Sequence, residues 1–128
     1  MKLYTSSKDA FKNIFSSKDK IIPDSVFDFI SLIDNARYVI TDSFYCTAFS
    51  LNLNTEPICV YPERFEGRIK SILTLTNTLH RHAQSYDDTD VLDRHTDFAE
   101  VNSILGSERK KASKWLKMVF ADIQRQKA

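Results

Sequence analysis

The hydrophobic positions fall in short blocks whose spacing switches between helix-like and strand-like along the chain. Pro23 suits a helix start, Asp24 and Ser25 follow, and Val26, Phe29, Ile30 and Ile33 recur at i, i+3, i+4 and i+7, which predicts an amphipathic helix ending near Asn35. YVIT at 38–41 is a compact β-branched and aromatic run and reads as a strand. In the following SFYCTAFSLNL, apolar residues go most of the way round, which predicts a buried helix. PICVY at 57–61, apolar throughout and bounded by Pro57 and Pro62, predicts another strand; runs without alternation suit parallel strands covered on both faces.

Further along, Ile69, Ile72, Leu73 and Leu79 predict a helix over 68–79, and the polar HRHAQSYDDTDVLDRHTD predicts a connecting loop on the surface. DFAEVNSIL and SERKKASKWLKMVFADIQRQ read as two helices, separated by Gly106 as C-cap with Ser107 as the next N-cap. Trp115, Leu116, Val119, Phe120 and Ile123 then make the inward stripe of the last helix. At the other end, KLYTSS reads as a short strand and SKDAFKNIF as a helix-like stretch. The alternation as a whole predicts one α/β domain over 1–128: a small, mainly parallel sheet of three or four strands with flanking helices.

Composition narrows the function. Lys plus Arg number 18 against 17 Asp plus Glu, so no global field draws the protein to nucleic acid or an anionic membrane. No apolar stretch reaches the roughly 20 residues of a membrane span, and the N-terminus has no signal-peptide-like run, which makes the cytoplasm the expected compartment. There Cys46 and Cys59 are expected as buried thiols rather than a disulfide. With only two glycines, Gly67 and Gly106, the chain has no Gly-rich loop to cradle phosphates.

Ligands of open parallel sheets bind at the carboxyl ends of strands, where a helix start presents unpaired N–H groups. YVIT followed by Asp42 and Ser43 is such a place: Asp42 suits a helix cap or a ligand hydroxyl, and Ser43 with its N–H suits a carboxylate or phosphate oxygen. The same two residues equally suit an ordinary capped helix. Elsewhere, His80 and His82 at i, i+2 do not share a helix face, and no Cys or carboxylate stands at zinc-site spacing around them, so no metal is expected. Arg81 between them fits a structural or substrate contact as well as a solvated loop. The basic run ERKK with Lys114 and Lys117 reads as the wet face of an amphipathic helix, and Cys46 as a small buried residue rather than a nucleophile.

The segment NARYVITDSFYCTAFSLNLNTEPI resembles the motif NAxYVVTDSFHGTAFSIxFNxPF of the polysaccharide pyruvyl transferase family. EGRIKSILTLTNTL is similar to the family's SRIxSLLxxLGL, and FAEVNSILGSERKKASKWLKMVF to its closing helices, so the likeness covers about residues 20 to 121. The resemblance implies the C-terminal, Rossmann-like donor half of a two-domain GT-B-type transferase, with the N-terminal acceptor half absent from this chain. It implies transfer of a pyruvyl group from phosphoenolpyruvate to a sugar of a surface polysaccharide, the acceptor being a glycan or a nucleotide-linked or lipid-linked sugar, with no cofactor.

Carried over by position, Asp42, Ser43, Phe44, Thr47 and Ser50 match the motif, Ser43 and Thr47 being candidates to hold donor oxygens. Arg68 matches the family's arginine and suits a bidentate grip on a carboxylate or phosphate. Tyr45 stands where the family has its acid/base His, and Cys46 where it has Gly. The isolated chain is therefore expected to be inactive. The alternative reading is a non-catalytic relative, a binding or assembly module that pairs with a separate N-terminal half or with itself.

Overall fold

The structure, a computed structural model, describes residues 23–127 apart from 63, 65 and 86. The strand and helix expected before Pro23 lie outside the described residues. What is described is a mixed α/β arrangement, a two-stranded parallel sheet with flanking helices.

Helix α1, Val26–Asp34, starts at Ser25, whose hydroxyl oxygen accepts the Asp28 N–H at 3.2 Å and donates to the Asp28 carboxylate at 2.8 Å. This closes the first turn and satisfies one of the orphan donors of a helix start. Strand β1, Tyr38–Thr41, leads into helix α2, Phe44–Asn52, and strand β2, Glu56–Cys59, follows. The strands run parallel in a register that sets Tyr38 beside Glu56 and Thr41 beside Cys59. A parallel pair needs a crossover, and α2 supplies it.

Among the described residues two apolar clusters fix the layers. Ile33, Val39 and Cys46 pack with Phe29, Phe49 and Leu53, joining α1, β1 and α2. Phe29 and Phe49 meet edge to face, with centroids 5.5 Å apart. Cys59, Ile69 and Leu73 pack with Phe44 and Tyr61, which brings helix α3, Glu66–Leu75, against the same side of the sheet. On the other side Ile40 is 40% exposed, so the expected cover on both faces is incomplete among the described residues.

Three expectations need correction. The polar HRH region is no surface loop: it forms a 3-10 turn at Leu79–Arg81, and Arg81 is 0% exposed. Through a one-residue parallel bridge from Cys59 to His82, with Ala83 N–H donating to the Cys59 carbonyl at 2.9 Å, it lies where a third strand would. Among the described residues the sheet therefore has two full strands, and the strand expected at 2–7 lies outside them.

Gly106, next, does not divide two helices. Helix α4 runs unbroken over Phe98–Lys127, and no glycine among the described residues has positive φ. A helix of 30 residues absorbs the roughly 1 kcal/mol that a central glycine costs relative to alanine. Lastly, the stripe expected to face inward is outside: Trp115 and Phe120 are each 62% exposed. Only the first turns of α4 meet the body, through buried Val101 and through Arg109, whose guanidinium donates to the Asn52 side chain at the end of α2. No helix among the described residues is long and apolar enough to cross a membrane.

Candidate functional site

The carboxyl edge of the sheet gathers three chain ends. Thr41, Cys59 and His82 stand in one row, and the residues just beyond them continue the ladder: Val60 N–H donates to the Thr41 carbonyl at 2.9 Å, and Ala83 N–H to that of Cys59. Neighbouring strands are about 4.8 Å apart, so the whole row spans roughly 10 Å, the width of a small ligand. Against one end of this edge sits the start of α2.

Ser43 is the N-cap of α2, in an extended conformation, and its hydroxyl accepts the Cys46 N–H at 3.5 Å. Its own N–H donates to Thr41 Oγ1 at 2.9 Å, so the amide that the sequence offered to a ligand is bound inside the protein. The first intrahelical bond runs from Thr47 N–H to the Ser43 carbonyl. The N–H groups of Phe44 and Tyr45 precede it and, as in any helix start, point outward with the positive end of the dipole. These amides, rather than that of Ser43, are the donors an anion would meet.

The motif residues divide by direction. Thr47 is 0% exposed; its hydroxyl donates to the Ser43 carbonyl at 3.0 Å and lies 3.4 Å from Cys59 Sγ. It clamps α2 to β2 from within. Ser50, also buried, donates to the Cys46 carbonyl at 2.7 Å. Asp42 and Tyr45 face outward, Tyr45 at 66% exposure, its ring edge-on to that of Phe44 with centroids 5.7 Å apart. Phe44 turns inward onto the Cys59, Ile69 and Leu73 cluster. Arg68 is exposed in the first turn of α3, next to buried Ile69. Ser43, Phe44 and the first turn of α3 thus share one end of the molecule, while the hydroxyls of Thr47 and Ser50 belong to the interior.

Sequence reasoning missed a pair at the same edge. The Tyr61 ring stacks on His82, with centroids 3.6 Å apart and planes 15° from parallel. Burial lowers the His82 pKa from its ordinary 6.5, against the pull of Asp88 and Glu66, and burial raises that of Tyr61, helped by Cys59 and Glu66. No spacing rule links Tyr61 to His82; the bridge between Cys59 and His82 is what aligns them.

The thiols are quiet. Burial raises the pKa of Cys46, opposed by hydrogen bonds from Thr41 and Ser43, and pushes Cys59 up to about 11 despite Thr47 and Arg81. Both are protonated at neutral pH, which removes them as nucleophiles. Among the described residues no group of three His, Cys, Asp or Glu side chains could hold a metal ion. No protein-family model, curated protein or solved structure matches the chain.

Proposed function

We propose that this chain is the donor-side half of a polysaccharide pyruvyl transferase-like protein, with a pocket for the phosphate and carboxylate of phosphoenolpyruvate at the start of α2. The observation that carries the reading is the strand, turn and helix over residues 38–52: the segment similar to the family motif forms β1, caps α2 with Ser43 and opens a helix whose first amides have no partner within it. That is the local form an anionic donor requires at the carboxyl edge of a parallel sheet. In this reading Ser43 sets the helix start, the Phe44 and Tyr45 amides meet donor oxygens, Arg68 supplies the fixed cation, and Thr47 holds the frame rigid. A GT-B-type partner half would bring the sugar acceptor, and the cytoplasm would be its compartment.

Ligand-induced stabilisation tests this directly. Phosphoenolpyruvate at 100 times its dissociation constant should add about 2.7 kcal/mol to stability. Absence of any shift with phosphoenolpyruvate or nucleotide sugars would overturn the pocket.

One observation favours the second reading, a binding or assembly relative without catalysis. Tyr45, at the family's His position, lies on the outer face of α2 with its ring exposed, where it suits a hydrogen bond or a stacking contact. Tyr45→His, assayed with an acceptor half supplied, separates the two: gained turnover supports the transferase, and retained binding without turnover supports the module.

A further inference from the structure

Every residue of α4 over 109–127 is exposed except half-buried Val119. At about 100° per residue, Ala112, Trp115, Leu116, Val119, Phe120 and Ile123 fall within one arc of the helix. Lys110, Lys114, Lys117 and Arg125 fall on the opposite arc. Residues 107–127 carry seven cations and two carboxylates, a net +5 in a chain whose total is +1. The two carboxylates are themselves engaged, Glu108 with Lys111 at 2.6 Å and Asp122 with Arg125 at 3.7 Å. The near-neutral total thus hides a strongly basic end and an acidic remainder.

We propose that the outer half of α4 lies on an anionic lipid surface, its apolar arc at the boundary of headgroups and acyl chains. A helix with Trp, Phe and Leu on one face and Lys and Arg on the other is the form that binds in the plane of such a surface. The 19 residues of 109–127 extend about 28 Å at 1.5 Å per residue, and interrupting charges keep the helix from crossing. A helix is about 10–12 Å across, so cations on its far side remain within roughly a Debye length of the lipid phosphates. Charge also selects the occupant: a second copy would set one +5 helix beside another, whereas an anionic bilayer complements both faces at once. The inference holds whatever ligand the sheet edge takes.

Trp115 is the single tryptophan of the chain, so its fluorescence reports this helix alone. The full chain is mixed with vesicles of phosphatidylcholine, with or without phosphatidylglycerol. A blue shift of Trp115 emission and co-sedimentation are expected with the anionic vesicles, absent with neutral ones and reversed by high salt. Each cation contributes roughly fivefold in affinity, so Lys114→Glu with Lys117→Glu should weaken binding more than tenfold. Both residues are exposed, and circular dichroism verifies that the variant stays helical. No shift with anionic vesicles, or equal binding to neutral ones, would overturn the proposal. So would a blue-shifted lipid-free protein of dimer mass in sedimentation equilibrium, which would assign the stripe to a second copy.

Discussion

Arg81 and Glu56 form a partly buried ion pair at the amino end of β2, Nε lying 3.2 Å from Oε2, with the arginine side chain 0% exposed and that of the glutamate 17%. Arg81 also donates to the Pro57 carbonyl and to the Val91 carbonyl, each at 2.8 Å, while the Glu56 carboxylate accepts Thr96 N–H at 2.9 Å and its hydroxyl at 2.7 Å. Removing Glu56 leaves the buried guanidinium without its counter-charge, and removing Arg81 leaves the partly exposed carboxylate with Thr96 but no fixed cation. Arg81→Ala should cost about 3–5 kcal/mol, read as a lower urea midpoint. Arg81→Met, which refills the volume but still removes the cation facing Glu56, should also lose stability, and an unchanged midpoint in both variants would show that the pair contributes nothing.

His82 gives the fold a pH dependence of defined sign. Its folded pKa lies below the ordinary 6.5, so between the two values the unfolded chain binds more protons than the folded one. Stability is then complete above about pH 6.5 and falls as the pH drops through 6.5 toward the lower folded value. His82→Phe keeps an aromatic partner for Tyr61 and cannot be protonated. Urea midpoints at pH 7 and pH 5.5 should drop more for the wild type than for the variant; identical drops would rule His82 out as their source.

Thr47 separates frame from ligand contact. Thr47→Val removes a buried hydroxyl that bonds the Ser43 carbonyl and approaches Cys59, and should cost about 1 kcal/mol while leaving phosphoenolpyruvate binding within a factor of two or so. Loss of binding at unchanged stability would instead put Thr47 in the pocket. The same packing shields the thiols, so Cys46 and Cys59 should resist iodoacetamide at pH 8 in the folded protein and both react in urea, as mass spectrometry of the intact chain would show.

What could be read from the sequence was local. YVIT forming β1 and Ser43 opening α2 rest on signals within four residues of the feature they set, whereas α1 was expected to start at Pro23 and starts instead after its cap Ser25. A structural contact was one reading of Arg81, but its partners were illegible because Pro57 and Val91 stand 24 and 10 residues away in segments without period. Gly106 misled because a glycine's preference for a helix end is weak beside the cooperativity of a long helix. The stripe at Trp115 was seen, but amphipathicity says only that a face is apolar, never what covers it. At the site, the helix start was legible and the pairing of Tyr61 with His82 was not, since only the sheet register joins them.

Among the described residues positive φ occurs at two asparagines. Asn54 and Asn77 hold φ of 58° and 59°, where a Cβ meets the following carbonyl and Asn or Gly is tolerated best. Asn54 leads the chain from α2 into β2, and Asn54→Ala should cost on the order of 1 kcal/mol by thermal unfolding, with Asn54→Gly near neutral. Asn77 has a second task, its side chain donating to Glu100 at 2.9 Å, so Asn77→Gly should lose stability where Asn54→Gly does not.

The grip of Glu56 on Thr96, forty residues away, has a consequence for a protein cut between them. Arg94 holds Asp88 at 2.6 Å, Asp88 accepts the Gln84 N–H at 3.0 Å, and Arg81 reaches Val91, so the chain between Asp88 and Thr96 is fastened at Asp88, Val91, Arg94 and Thr96. A protease nick within it would leave two polypeptides still clasped together, and the protein would elute as one particle until denaturant let the pieces go.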